Sequence, residues 1–438
     1  MSRIVDTQQL SLGVFARSGK ENERRLPIHP AHLGRIDPAV RSRIFLEHGY
    51  GSDFSSTDEA LGQLVGGIGT REQLIADCDV ILVPKVQAQD LTEVRERQVV
   101  LGWPHCVQDV ALTQVAIDRQ LTLIAFEAMN HWRPDGGFEL HVFHKNNELA
   151  GYCSVLHAMQ LVGLTGSYGR RLQATVIGFG ATARGAVTAL NAHGVDDVRV
   201  LTNRDVAAVG SPIHSTQMVQ MGHHPDTPDR IWADAADTPI PVARFLADSD
   251  IVVNCVLQDP SAPLIFVTES ELAAFAAGSL IVDVSCDAGM GFSWAHPTSF
   301  AHPIIEVTDG VYYYAVDHSP SLLWNSATWE ISEALLPHIE AILAGPAGWN
   351  MSPTISRAVE IGDGVILNPK ILAVQHRDRS YPHPVRDDRL PRSRQNPWAK
   401  STSADHGCGP TGYLRVDRQG DNAPERDNHD VTDVHPRK

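Results

Sequence analysis

The chain is short of several things, and each shortage removes a class of function. Positive charge is scarce: 36 Lys and Arg stand against 52 Asp and Glu, a formal net charge of −16. That balance argues against a basic surface for nucleic acid. No apolar run approaches the roughly 20 residues that a membrane-spanning helix needs. The start of the chain lacks the basic region, apolar core and cleavage site of a secretory signal. The six cysteines, at positions 78, 106, 153, 255, 286 and 408, form no CxxC pair. Neither a disulfide framework nor a structural zinc site is expected. Cys78, Cys255 and Cys286 sit in or beside apolar runs and read as small core residues. The expectation is a cytoplasmic protein with no metal and with neither nucleic acid nor membrane among its partners.

What is present is ordinary bulk and one unusual stretch. With 438 residues and 43 % hydrophobic content, the chain has room for two or three domains with sizeable cores. The unusual stretch runs from Thr175 to Gly185. An apolar run, Ala174 to Ile177, enters Gly178-x-Gly180-x-x-Ala183, and a small-residue helical pattern leaves it through Leu190. This is the strand–turn–helix setting of a dinucleotide fingerprint. Gly178 permits the tight turn, Gly180 leaves room for a pyrophosphate, and Ala183 allows close helix–strand packing. The helix N-terminus at Ala181 and Thr182 offers free N–H groups to the phosphates. GxGxxA alone also fits a ligand-free turn, but a second apolar strand, Val198 to Leu201, follows at the distance a βαβ unit requires.

The tip of that second strand bears on which nucleotide. NAD sites usually place an acid there; this chain has Thr202-Asn203-Arg204, with the first acid at Asp205. Arg204 suits a 2′-phosphate, so NADP(H) is favoured over NAD(H). The competing reading makes Arg204 a solvated loop cation and lets Asp205 reach the ribose.

The first 145 residues alternate apolar runs (12–16, 80–83, 99–102 and 121–126) with helical spacing such as that of 109–118. Such alternation predicts a doubly wound parallel sheet. One helix over 146–165 should lead to a nucleotide domain continuing through strands at 251–255 and 280–284, with its last strand at 304–307. A helix over 326–343 should cross back. The expectation is α/β: two Rossmann-like domains with a cleft between them, residues 1–145 with 312–376 forming one and 146–311 the other. Residues 377–438 are rich in Arg, Asp, Pro, Ser and His, with almost no apolar periodicity, and are expected to be disordered.

Polar residues recur where these strands end, the edge that faces the ligand crevice in an open α/β sheet. Arg24 and Arg25 follow the first run, Lys85 ends the second, His105 follows the third, Glu127 the fourth, and Asp287 the run from Leu280. Each has a plain alternative: a surface lysine, a histidine starting a helix, an N-cap aspartate. Their shared position raises the chemical reading. An Arg grips a carboxylate through two bonds, and a Lys or His moves a proton at a carbonyl or imine.

These residues carry a resemblance. Lys20-Glu-Asn-Glu-Arg-Arg-Leu-Pro27, Pro84-Lys85 and Val282-Asp-Val-Ser-Cys-Asp287 resemble the alanine dehydrogenase/nicotinamide nucleotide transhydrogenase family. Gly102-Trp-Pro-His105, Lys145 to Gly151, Gly180 to Gly185, Asp309-Gly-Val-Tyr312 and Val316-Asp-His-Ser-Pro-Ser321 are similar to its ornithine-condensing branch. The resemblance implies that Arg25 binds the carboxylate of a 2-oxo acid, with Arg24 and Glu127 as further substrate candidates. It implies that Lys85 contacts the same substrate, that His105 is the acid/base and that Asp287 assists. The nicotinamide would lie beside Asp317-His318-Ser319-Pro320, with Cys255, Val256 and Leu257 also along the cofactor. The implied activity is NADPH-dependent reductive condensation of a pyruvate-like acid with the amino group of an ornithine- or lysine-like amino acid, in a homo-oligomer. Two alternatives stand: reductive amination of pyruvate with ammonia, and a nucleotide-binding sensor without catalysis. Asn203-Arg204 departs from the acid that alanine dehydrogenases carry, and the polar tail is outside the family pattern.

Overall fold

The structure, a computed structural model, describes residues 9–204, 216–224, 227–235, 238–258, 260 and 263–386. Its frame is two sheets, each built on the doubly wound order. In the first, strands Gly67–Gly69, Ile44–Glu47, Leu12–Val14, Val80–Leu82, Val99–Gly102 and Thr122–Ala125 lie side by side and parallel. Two antiparallel strands, Val359–Gly362 and Val365–Ile366, extend it beyond Thr122–Ala125. The second sheet has a parallel centre of Thr216–His224, Asp197–Thr202, Gln173–Ile177, Ile251–Asn254, Leu280–Asp283 and Val311–Tyr314. Antiparallel strands flank both of its sides.

Unbroken apolar runs make these strands because both faces of each sheet are covered. Val80 and Leu82 enter one core cluster of the first sheet while Ile81 and Val83 enter the other. Ile251 and Val253 lie on one side of the second sheet and Val252 on the opposite side. Each such side chain contributes about 1.5–3 kcal/mol on burial. The helix Trp324–Leu335 adds Ile331 and Leu335 to the core of the first sheet, so the chain returns to it after the second sheet is complete.

Helix His144–Leu161 packs on the fingerprint helix Ala181–Ala192 at backbone contact. A Cβ on Gly151 would stand 1.9 Å from the Thr182 carbonyl oxygen, and one on Gly185 would stand 1.8 Å from that of Glu148. Two glycines thus set the spacing of these helices.

Three expectations need correction. Ile304–Thr308 is not the last strand of its sheet: it is an antiparallel edge, and Val311–Tyr314 makes the parallel pairing with Leu280–Asp283. Asp309-Gly310 is the turn between them, and the apolar run of 311–314 is too short to separate from its neighbour by pattern alone. The expected disorder from residue 377 is overturned for 377–386. Arg377 is buried and donates from Nε to Gln375, from Nη1 to Gln114 and the His383 carbonyl, and from Nη2 to the Val110 carbonyl. Polar bonding of this kind leaves no apolar period to detect. Residues 387–438 of the expected tail lie outside the described residues, as does Asp205. Finally, Cys255 and Cys286 are only partly buried, unlike Cys78.

The helix contact yields a test. By propensity alone Gly185→Ala should stabilise a helix, by about 1 kcal/mol. Overlap with the Glu148 backbone should reverse the sign, giving a loss of about 1–3 kcal/mol. Urea unfolding monitored by circular dichroism reads the sign directly.

Candidate active site

In a sheet of this order the crevice opens where the strand order reverses, beyond the carboxyl ends of the central strands. The candidate residues sit at those ends. Val80–Leu82 leads to Lys85, Val99–Gly102 to His105, and Thr122–Ala125 to Glu127. In the second sheet Gln173–Ile177 leads to the glycine turn, Leu280–Asp283 to Asp287, and Val311–Tyr314 to Asp317.

Asp317 joins the two sets. Its Oδ2 lies 2.9 Å from Lys20 Nζ and 3.9 Å from Lys85 Nζ, and its Oδ1 lies 2.7 Å from His318 Nδ1. The other ring nitrogen of His318 faces the Glu21 carbonyl. Burial works to raise the Asp317 pKa, but the bond to His318 and the charges of Lys85 and Lys20 outweigh it and hold the carboxyl well below its usual range. Lys85 is buried and its pKa is lowered, first by burial, with Asp317 opposing.

Arg25 is buried, two residues after Glu23, in an irregular segment that follows strand Leu12–Val14. Its Nε donates to Glu23 Oε1 at 2.8 Å, Nη2 pairs with Glu23 Oε2, and Nη1 donates to Asn146 Oδ1 at 3.3 Å. These contacts use three of the five guanidinium N–H donors. The Glu23 pKa is lowered: burial resists, and Arg25 prevails.

His105 takes a left-handed backbone, φ +49°. Its side chain is 42 % exposed, and its Nδ1 lies 3.9 Å from Glu127 Oε1. Desolvation, then the charge of Lys85, pushes its pKa well below the ordinary imidazole value, with Asp317 opposing and Arg25 and Lys20 adding. The neutral imidazole is therefore the resting form near neutral pH. Asp287 is pushed up to about 6 by burial, against the pull of Lys85. Lys85, His105, Arg25, Asp287 and Asp317 thus form one electrostatic group.

The glycine turn has the shape its sequence requires. Gly178 has φ +105°, and Gly180 caps the helix Ala181–Ala192 with open space where a Cβ would point. Ala183 is fully buried against the core. Val256 and Cys255 lie over Gly178, whereas Leu257 is 85 % exposed. Asn203 and Arg204 are exposed at the tip of Asp197–Thr202.

Some candidates stand elsewhere. Arg24 points away from Arg25, pairs with Asp53 at 3.3 Å and lies over the Trp324 ring. Glu127 reaches the backbone of His105, its Oε1 accepting the His105 N–H at 2.6 Å. Ser319 and Pro320 are buried, and Ser319 Oγ donates to the Ala150 carbonyl at 3.1 Å. The sequence reading missed Glu23, Lys20 and Asn146 as partners. All three lie inside the motifs that carried the resemblance, but nothing in those motifs assigned them a partner.

The N-terminal domain model of the alanine dehydrogenase/PNT family matches residues 15–150, and its C-terminal domain model matches residues 148–369. The chain belongs to the alanine dehydrogenase/PNT family. Among curated relatives of this family, N(5)-(carboxyethyl)ornithine synthase of Clostridium botulinum is 22 % identical over 333 residues, covering 73 % of this chain and 90 % of its own length. Alanine dehydrogenase of Mycobacterium tuberculosis is 24 % identical over 374 residues, covering 80 % of this chain and 93 % of its own length. A solved L-alanine dehydrogenase superposes with TM-score 0.65 at 18 % identity, covering 83 % of this chain and 99 % of its own. A transhydrogenase from Sinorhizobium meliloti does so with TM-score 0.60 at 19 % identity, covering 82 % and 99 %. Among the described residues no helix is long and apolar enough to cross a membrane, and no cluster of His, Cys, Asp or Glu could hold a metal ion.

The tie at Asp317 is testable by linkage. Its depressed pKa contributes stability that is present above the unfolded value, near 3.8, and is lost as pH falls through the folded value. Asp317→Asn should therefore lower the melting temperature near neutral pH, and the gap from the parent protein should shrink as pH is lowered below about 4. A gap of constant size across a pH series of melting curves would contradict this assignment.

Proposed function

We propose that this protein is a nicotinamide-nucleotide-dependent reductase that condenses a 2-oxo acid with the amino group of an ornithine- or lysine-like amino acid and reduces the resulting imine. The observation that carries the reading is the mutual electrostatic influence of Arg25, Lys85, His105 and Asp287, which stand in segments that follow strands of the two sheets. Kinship with both a carboxyethylornithine synthase and alanine dehydrogenases supports the reaction class.

The glycine turn fits a dinucleotide: Gly180 leaves space beside the backbone, and the first N–H groups of Ala181–Ala192 face outward for phosphate. When bound, the nicotinamide supplies the hydride. The remaining donors of Arg25 take the substrate carboxylate. Lys85 stands beside the carbonyl and supports developing negative charge on its oxygen. His105, neutral at rest, carries the two protons of the attacking amine to the carbonyl oxygen in turn, the first as the carbinolamine forms and the second as it collapses, so that amine and carbonyl become imine and water. Asp287, pushed up to about 6 and under the influence of Lys85, is a second proton carrier.

We further propose NADPH as the preferred cofactor, a homo-oligomeric assembly, a cytoplasmic location and the division 1–145 with 312–376 against 146–311. The cofactor proposal rests on Arg204 and the lack of an acid over 202–204.

The decisive assay follows NADPH oxidation with pyruvate against ammonia, ornithine and lysine, with mass analysis of products. Ornithine or lysine should support turnover and give an N-carboxyethyl amino acid; turnover with ammonia alone would establish the alanine-forming alternative. His105→Ala should retain substrate binding and lose about 10²–10⁴-fold in kcat. Nucleotide binding without turnover on any amine would leave a sensor.

Arg204→Ala should weaken NADPH by about 1–3 kcal/mol and leave NADH nearly unchanged. Equal KM values for both cofactors in the unmodified protein would refute the preference.

A further inference from the structure

Behind His105 lies a second pair of acidic groups that the reaction does not use directly. Strand Thr122–Ala125 passes into the 3-10 turn Phe126–Ala128, which holds Glu127, and its antiparallel neighbour Val359–Gly362 contributes Glu360. The two backbones are bonded here: the Ala125 N–H donates to the Ala358 carbonyl at 2.8 Å. Glu360 is 4 % exposed, and its Oε1 accepts from Asn368 Nδ2 at 2.9 Å. Glu127 Oε1 accepts the His105 N–H. That leaves Glu127 Oε2 and Glu360 Oε2, both buried and neither with a hydrogen-bond partner. Ionised carboxylates are acceptors only, so two of them cannot satisfy each other. A proton on either carboxyl removes one of two buried charges on neighbouring strands and turns an orphaned oxygen into a donor.

We propose that Glu127 and Glu360 hold one proton between them, and that Glu360 is a positioning residue that, through Glu127, fixes the backbone of His105. The proposal deepens the reading of His105 as the acid/base and rests on it. Both carboxyls are pushed up, each first by burial, and Glu127 next by the charge of Glu360. Other titratable groups facing the pair are Lys85 and His105 toward Glu127, the Cys106 thiol toward Glu360, and His141 against the carbonyls of Phe126 and Glu127. His105 needs the support, because a non-glycine residue in the left-handed region is strained.

The test uses the full chain without cofactor or substrate. Wild type should show a protonated-carboxyl C=O stretch in infrared pH-difference spectra that Glu360→Gln removes, since the amide donates to Glu127 without titrating. Raised carboxyl pKa values make the native state hold more protons than the unfolded one, so stability falls as pH rises through that window. Wild type should lose melting temperature from about pH 5 to about pH 9, and Glu360→Gln should lose less. Its kcat near neutral pH should stay within about threefold, whereas Glu360→Ala should lower kcat at least tenfold with KM for the oxo acid nearly unchanged. An identical spectrum and a parallel stability curve for Glu360→Gln overturn the proposal. Should that variant not fold, Glu127→Gln gives the same infrared comparison. Because the infrared and melting readouts need no turnover, a protein inactive on every amine would defeat the functional reading and leave the pair still testable.

Discussion

One carboxylate joins the edges of both sheets. Asp317 ends a strand of the second sheet and bonds Lys20, which belongs to the first. His318, beside it, reaches across to the Glu21 carbonyl, and Ser321 bonds Glu23. An ion in this position is costly to bury, and only near-complete bonding makes the cost tolerable. Its charge opposes the desolvation that lowers the pKa of Lys85 and of His105. Position, protonation and the alignment of two sheets thus depend on the same group.

The parallel sheets were legible because strands buried on two faces must be apolar throughout. The site was legible where such a run stops at a polar residue, as at Lys85, His105 and Asp287, and the fingerprint where a strand meets Gly178 and Gly180. Pairings across the chain were not legible. Lys20 and Asp317 are 297 residues apart, and no local pattern links them. Edge elements were also obscure: the strands of 359–366 that close the first sheet are short, and Glu360 interrupts their apolar pattern. Arg24 and Arg25 look equivalent in sequence. Their surroundings separate them: Arg24 lies over Trp324 and Arg25 bonds Glu23.

Helix His144–Leu161 has a mechanical consequence. Its middle rests on the fingerprint helix at Gly151 with no room to slide, and its Ser154 and Ala150 hold Ser319. Near its start, Asn146 touches Arg25. The helix is therefore a rigid arm belonging to the second sheet, with its tip on a residue of the first. If the sheets rotate apart, the pivot falls at the ends of this arm, and Arg25 is drawn away from Asn146 as they separate. The setting of the Arg25 guanidinium is thereby geared to the angle between the sheets.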